Sequence, residues 1–154
     1  MQFKWHVLFG FVASYLLVYF FHFSFLSGAI IFLSSFMIDF DHYLWYGFLM
    51  GDWDPKNAIN WGLKVEKKWA ATPLIERKKF QRGIFVFHSL FFWIILALLS
   101  FYLHTFFLWV LIGVMIHMVA DFSDLLYKKE PLYNKILPCL VVIKNKGKKS
   151  LKEF

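Results

Sequence analysis

Charge is what long stretches of this sequence do without. No Asp, Glu, Lys or Arg occurs from Trp5 to Ile38 or from Gly83 to Ala120, so two runs of 34 and 38 residues carry no formal charge. Cysteine is nearly absent too. Cys139 stands alone, which excludes an internal disulfide and with it a disulfide-stapled secreted scaffold. Low-complexity tracts are lacking, as is any internal repeat beyond the pairing of the two apolar runs. What fills the 154 residues instead is 60% hydrophobic and 23% aromatic. A water-soluble domain of this size has no interior large enough for that much apolar surface, so intrinsic disorder and a soluble Rossmann-type enzyme are both excluded.

A bilayer-spanning helix needs about 20 apolar residues, or about 30 Å of length. Each uncharged run is too long for one span and suits two short ones joined by a tight turn. The expected fold is therefore all-α: a four-span transmembrane helical bundle with short interfacial helices, forming one integral membrane domain over residues 1–154. Spans are placed near residues 5–22, 26–46, 84–103 and 105–122, with an interfacial segment over 51–83 and a basic tail over 123–154. Lys4, the apolar stretch after it and the small residues Ser27, Gly28 and Ala29 have the outline of a cleavable signal, but the apolar run continues past them with no polar segment behind it.

The 17 cations fall in three places: Lys4, eight residues from Lys56 to Arg82, and eight from Lys128 to Lys152. An even number of spans puts all three regions on one side, which the positive-inside rule makes cytoplasmic, together with both termini. The net charge of +7 then predicts contact with anionic lipid headgroups rather than nucleic acid, because no aromatic-and-glycine RNA-binding pattern interrupts the basic stretches. In the middle segment Trp53, Trp61 and Trp69 lie among Lys64, Lys67 and Lys68, and Pro73 marks a helix start. That mixture suits helices in the headgroup layer. The tail alternates apolar residues with lysines up to Lys144 and is expected to end in a solvated basic terminus.

Ionisable residues inside apolar spans are costly and need partners. With these spans, His6, Asp39, Asp41, His42, His88, His117 and Asp121 all fall at the cytoplasmic helix ends. His22 and His104 fall at the opposite face, about 24 Å away at helical rise, where an imidazole in an interfacial turn accounts for them. His117 and Asp121 are four apart and share a helix face, as do Asp39 and His42, three apart. Asp41 points elsewhere in a regular helix, so either the helix loosens there or Asp41 serves a second ion. Mixed carboxylate and imidazole donors with no thiolate suit one or two Zn²⁺, Mn²⁺ or Fe²⁺ ions. The plainer accounts are a snorkelling His6 at a helix start and a packing hydrogen bond between His117 and Asp121.

Ile38-Asp39-Phe40-Asp41-His42 resembles the Pro-Asp-x-Asp-His signature of the YdjM-type family of membrane-bound metal-dependent hydrolases. Gly113, His117 and Asp121 are similarly spaced to its Gly-x-x-x-His-x-x-x-Asp signature, and an early histidine like His6 and a pair like His88-Ser89 are further family features. The resemblance runs from residue 6 to residue 124. It implies a membrane-bound hydrolase with a metal site. The sequence departs from the family in having Gln81 where a histidine is common, in lacking the proline before Asp39, and in having Gln81-Arg82-Gly83 followed by four residues before His88-Ser89. If Gln81 replaces a ligand, one metal of a two-metal site is weakened. A more distant likeness of the early His, the Asp-rich segment and the His-x-x-x-Asp spacing is to zinc-dependent phospholipase C and P1-type nucleases.

The expected function is a membrane-embedded hydrolase with a Zn²⁺ or Mn²⁺ centre at the lipid–water boundary, acting on a phosphoester of a lipid or lipid-linked substrate. Its metal ligands are His6, Asp39, Asp41, His42, His88, His117 and Asp121. Asp41 or Asp39 serves the chemistry, Asp41 as a bridging ligand or general base, while Arg82 and Lys79 hold the substrate phosphate. Two alternatives use the same residues. The 16-residue spacing of His6 to His22 and of His88 to His104 could clamp haem in an electron-transfer protein, and a metal transporter or non-catalytic scaffold could keep the ligand set without turnover.

Overall fold

The computed structural model describes residues 3–153; Met1, Gln2 and Phe154, the extreme ends of the expected domain and tail, lie outside the described residues. In chain order the helices are α1 (Phe3–Phe21), α2 (Phe25–Met37), α3 (Phe40–Met50), α4 (Pro55–Ala71), α5 (Leu74–Arg77), α6 (Leu90–Tyr102), α7 (Phe106–Tyr127), α8 (Tyr133–Ile136) and α9 (Pro138–Asn145), followed by a 3₁₀ turn at Leu151–Glu153. The described residues contain no β-strand beyond one isolated bridge, so the protein is all-helical. Three stretches are long and apolar enough to cross a membrane: Phe3–Phe21, Phe25–Met50 and Phe106–Tyr127.

The stretch expected as the third span differs. Its helix, α6, begins only at Leu90 and has 13 residues, a length of about 20 Å. The cause is local. Ser89 caps the helix, its hydroxyl oxygen accepting from the Phe92 amide at 3.2 Å and its hydroxyl donating to the Val86 carbonyl at 2.6 Å. A serine so engaged starts a helix rather than continuing one, and His88 is left on the non-helical side of the cap. The second expected span is also interrupted, because Ile38 and Asp39 form a turn between α2 and α3.

The chain divides into two compact units, Met1–Asp39 with Val86–Leu132, and Phe40–Phe85 with Tyr133–Phe154. The first holds α1, α2, α6 and α7, with α2 packed on α7 and α1, and α6 packed on α7. Its packing is inverted relative to a soluble bundle. The residues α1 buries are His6, Gly10 and Ser14, and those of α2 are Ser27, Gly28, Ile31 and Ser35. The outward faces carry Phe11, Tyr15, Tyr19, Phe91 and Phe101. Small and polar residues at helix contacts, with aromatics outside, is how helices associate where the surroundings are themselves apolar. Ile38, Leu96, Val114 and Met118 form a small apolar core beside them.

Gly113 permits a close backbone approach in this unit. A Cβ there would overlap the Ile31 carbonyl oxygen and the Ser34 side chain. Only glycine lets α7 lie this close to the backbone of α2.

The second unit contains α3, α4, α5, α8 and α9. Helix α4 starts at Pro55 behind an Asp54 cap, and the Arg77 side chain donates to the Ala70 and Thr72 carbonyls at the other end of α4. The helix expected to start at Pro73 is a single turn, Leu74–Arg77. The segment after Lys144 is not the free solvated end that its charge suggests. The Asn145 side chain exchanges two 2.8 Å hydrogen bonds with the Arg82 backbone, and Lys149 pairs with the Lys79–Gln81 backbone through two 2.9 Å bonds. Burial of Val141 and Leu151 holds the tail against this unit.

Candidate metal centre

Five of the seven expected ligands, His6, Asp39, His88, His117 and Asp121, belong to the first unit and come together inside it. They arrive from four separate segments. His6 is one turn into α1, Asp39 follows α2, His88 precedes the Ser89 cap of α6, and His117 and Asp121 lie one turn apart on α7. His6, His88, His117 and Asp121 are buried, and Asp39 is half-buried.

The separations are informative. His88 Nε2 and His117 Nε2 lie 3.1 Å apart. From His88 Nε2 it is 3.7 Å to Asp39 Oδ1 and 3.4 Å to Asp121 Oδ2, and from His117 Nε2 to the same two atoms 3.5 and 3.4 Å. Most of these exceed the length of a good hydrogen bond. They do match the edge of a coordination tetrahedron, which for donors 2.0–2.1 Å from a Zn²⁺ ion is about 3.3 Å. Two imidazole Nε2 atoms at 3.1 Å either share one proton or both face one cation. Two carboxylate oxygens close to both nitrogens stabilise either arrangement. His6 approaches from the other side of Asp121, with Nε2 3.4 Å from Oδ1, and its ring stacks on that of His117 at 3.9 Å. The His6 Nδ1 is buried and makes no hydrogen bond.

Backbone geometry sets the proton on His117. Its Nδ1 is 2.8 Å from the Ser35 carbonyl oxygen, which can only accept, so Nδ1 carries the hydrogen and Nε2 presents a lone pair to the cluster. That carbonyl is available because α2 stops. The Asp39 amide turns back to Phe36 at 3.2 Å, a tighter step than the helical one, leaving Ser35 to accept from α7. The break at Ile38–Asp39 thus delivers a carboxylate and a free backbone acceptor together, and the close approach at Gly113, one turn before His117, brings them to α7.

Asp41 and His42 lie in the first turn of α3 and belong to the second unit. There the buried Asp41 carboxylate accepts from His42 Nδ1 at 3.0 Å, and the His42 Nε2 accepts from the Lys135 ammonium at 3.0 Å. The ring stacks on Phe85 at 4.0 Å, and the Lys135 ammonium sits 4.5 Å from the same ring. Both His42 nitrogens are thereby engaged, and service as a metal ligand requires one of the two contacts to give way. Lys135 was not anticipated; its position among Leu132, Tyr133, Ile136 and Leu137 in an apolar part of the tail was the available signal. Ser35 was not anticipated either, because a main-chain acceptor leaves no trace in residue type.

Of the expected phosphate-holding cations, Lys79 binds Glu76 Oε1 at 2.7 Å and the Arg82 guanidinium lies 4.4 Å from the Trp69 ring. Both are in the second unit, as is Gln81, whose amide donates to Lys149. His22 and His104 are exposed, and neither belongs to any group of three close donors among the described residues. His104 Nδ1 accepts from the Phe106 amide at 3.0 Å, serving the turn before α7. His22 occupies the turn after α1 with φ of 54°. No family model, curated protein or solved structure matches the chain.

Proposed function

We propose that this protein is a four-span, membrane-embedded, metal-dependent hydrolase of the YdjM type, acting on a phosphoester of a lipid or lipid-linked substrate at the cytoplasmic face. One observation carries the reading: the Nε2 atoms of His88 and His117 lie 3.1 Å apart, and each is 3.4–3.7 Å from a carboxylate oxygen of Asp39 and one of Asp121, inside an apolar bundle. Placing two carboxylates and three imidazoles in such surroundings is strongly unfavourable unless they neutralise one another or a cation compensates them. These side chains would hold a Zn²⁺ or Mn²⁺ ion, whose chemistry there would be to acidify water and polarise a phosphoryl oxygen.

The residues divide the remaining work. Asp39 and Asp121 supply negative charge, His88 and His117 supply neutral nitrogen donors, and the Ser35 carbonyl holds His117 in the tautomer that donates from Nε2. His6 adds a further donor on the Oδ1 side of Asp121, so a one- or two-ion site is supported by the same side chains. Asp41 and His42, joined to Lys135, form within the second unit a polar chain suited to proton handling. Exposed Ile59 and Leu63 on the Lys-rich helix α4 suit a helix resting among anionic headgroups. The bis-histidine haem alternative gains nothing from the geometry, since the His6 and His117 rings are in van der Waals contact and His22 and His104 serve turns.

The test combines metal analysis with turnover. Purified protein should carry one to two Zn²⁺ or Mn²⁺ per chain, and long-chain phospholipids and lipid phosphates in detergent should be hydrolysed by wild type but not by Asp39→Asn or His117→Ala. Bound metal with no turnover across a broad panel would replace the hydrolase with a transporter or scaffold. Absence of metal would remove both.

A further inference from the structure

An apolar groove of about 150 Å³ opens in the first unit. Met37, Ile38, Phe87, Phe92, Val110 and Val114 line it. Ser34 contributes the only hydroxyl, and that group already donates within α2, 2.8 Å from the Ile30 carbonyl. The groove therefore offers a ligand no free hydrogen-bond donor. Its size is that of an apolar cavity known to hold a benzene ring, about six carbon atoms.

Its position says what kind of molecule fits. Ile38 directly precedes Asp39, and Phe87 directly precedes His88. On α7 the sequence Val110, Val114, His117, Asp121 steps by four, three and four residues, so these four side chains follow one face of one helix. Along it, the wall of the groove gives way to the donor cluster within a turn, and Val110 to His117 covers about 10 Å. An apolar slot about one helical turn along α7 from a cluster of donors has the polarity of an amphiphile, with an anionic head at a cation that His117 and Asp121 would hold and a hydrocarbon chain beside Val114 and Val110. We propose that this groove holds one alkyl chain of the substrate, so that the site selects long-chain phosphoesters by the chain as well as by the head. The inference rests on the reading of the donor cluster as a phosphoester site, and names the part of the substrate that the cluster leaves unspecified.

A non-hydrolysable long-chain alkylphosphonate carrying a diazirine in the chain tests it without any need for turnover. Photolabelling should concentrate on the segments containing Phe87, Phe92, Val110 and Val114. Met37→Trp, at the exposed rim, and Val110→Trp should each cut that labelling about tenfold, the loss expected when roughly two methylenes leave apolar contact. Leu98→Trp, on the exposed outer face of α6, should leave it unchanged. In turnover, the two groove variants should lower the ratio of long-chain to short-chain kcat/KM by a similar factor. Groove-centred labelling with no hydrolysis of any ester keeps the chain site and overturns the hydrolase. Hydrolysis with a chain-length ratio that Met37→Trp and Val110→Trp do not move overturns the groove and keeps the hydrolase. Labelling spread evenly over Phe101, Tyr102 and other outward residues, or cross-links between two copies through Met37, would also overturn it.

Discussion

His117 meets His6, Ser35, Asp39, His88 and Asp121 within one side chain's reach. Replacing it by alanine should lower metal affinity at least as much as losing an outer-sphere partner does, about 10- to 100-fold, while His22→Ala should change nothing measurable by metal titration. Equal losses from both would mean that the cluster is not the binding site. Asp52 makes a separate prediction in the second unit. The Tyr46 hydroxyl donates to it at 2.6 Å, the Asp54 amide and Asn57 side chain add two 3.0 Å bonds, and together they hold its carboxyl below the usual range. A carboxylate with a depressed folded pKa contributes stability above its unfolded value, about 3.9, and that contribution disappears as pH falls through the lower folded value. Acidification below about pH 4 should loosen the corner around Trp53 and Trp61, read by their fluorescence. Asp52→Asn should remove this transition while weakening the corner at neutral pH.

Helix interruptions and close approaches decide where the donors point. The end of α2 supplies Asp39 and frees Ser35, and the Ser89 cap stops α6 from absorbing His88 into a helix. Ser89→Ala should cost about 0.5–2 kcal/mol in an unfolding titration in mixed micelles, and should weaken metal binding by loosening His88. Gly113→Ala places a methyl against the Ile31 carbonyl, a backbone atom that cannot rotate away. Separating α2 from α7 to relieve it should cost about 1–3 kcal/mol and carry Ser35 off His117, so stability and metal occupancy should fall together. A Gly113→Ala protein with unchanged metal content would show that the close approach does not position the site.

At the scale of the whole chain, the outward display of aromatics and inward display of Gly, Ser, His and Asp describe a protein built for apolar surroundings. Three stretches have the length to cross a bilayer, and α6, at about 20 Å, crosses only where the bilayer thins or its flanks snorkel. The distribution of the 17 cations makes the same statement about sidedness whether α6 is a full span or a short one, provided that it crosses. Reporter fusions after Met50 and at Phe154 should both report the cytoplasmic side. An external signal from the Met50 fusion would separate Lys4 from the Lys56–Arg82 cations and remove the basis for the four-span arrangement.

Composition and the two uncharged runs determine that the protein is helical, with stretches long and apolar enough to cross a membrane, because a helix is what satisfies backbone polar groups within a single apolar segment. The i, i+4 spacing of His117 and Asp121 likewise determines that they share a helix face, a local property that needs no partner. The site was legible to this extent: His6, Asp39, His88, His117 and Asp121 were recognisable as ionisable residues without a solvating neighbour. Their distances were not, since His88 and His117 are 29 positions apart and only the packing of α2, α6 and α7 brings their nitrogens to 3.1 Å. The late start of α6, the turn at Ile38–Asp39, the engagement of His42 by Lys135 and the pairing of the tail with Arg82 were also tertiary decisions. Each depends on a hydrogen bond whose partner lies beyond the local sequence, or on a choice between helix and cap that packing settles. Residue type records what a side chain can do; the backbone acceptor at Ser35 and the clearance at Gly113 decide which way it faces while doing it.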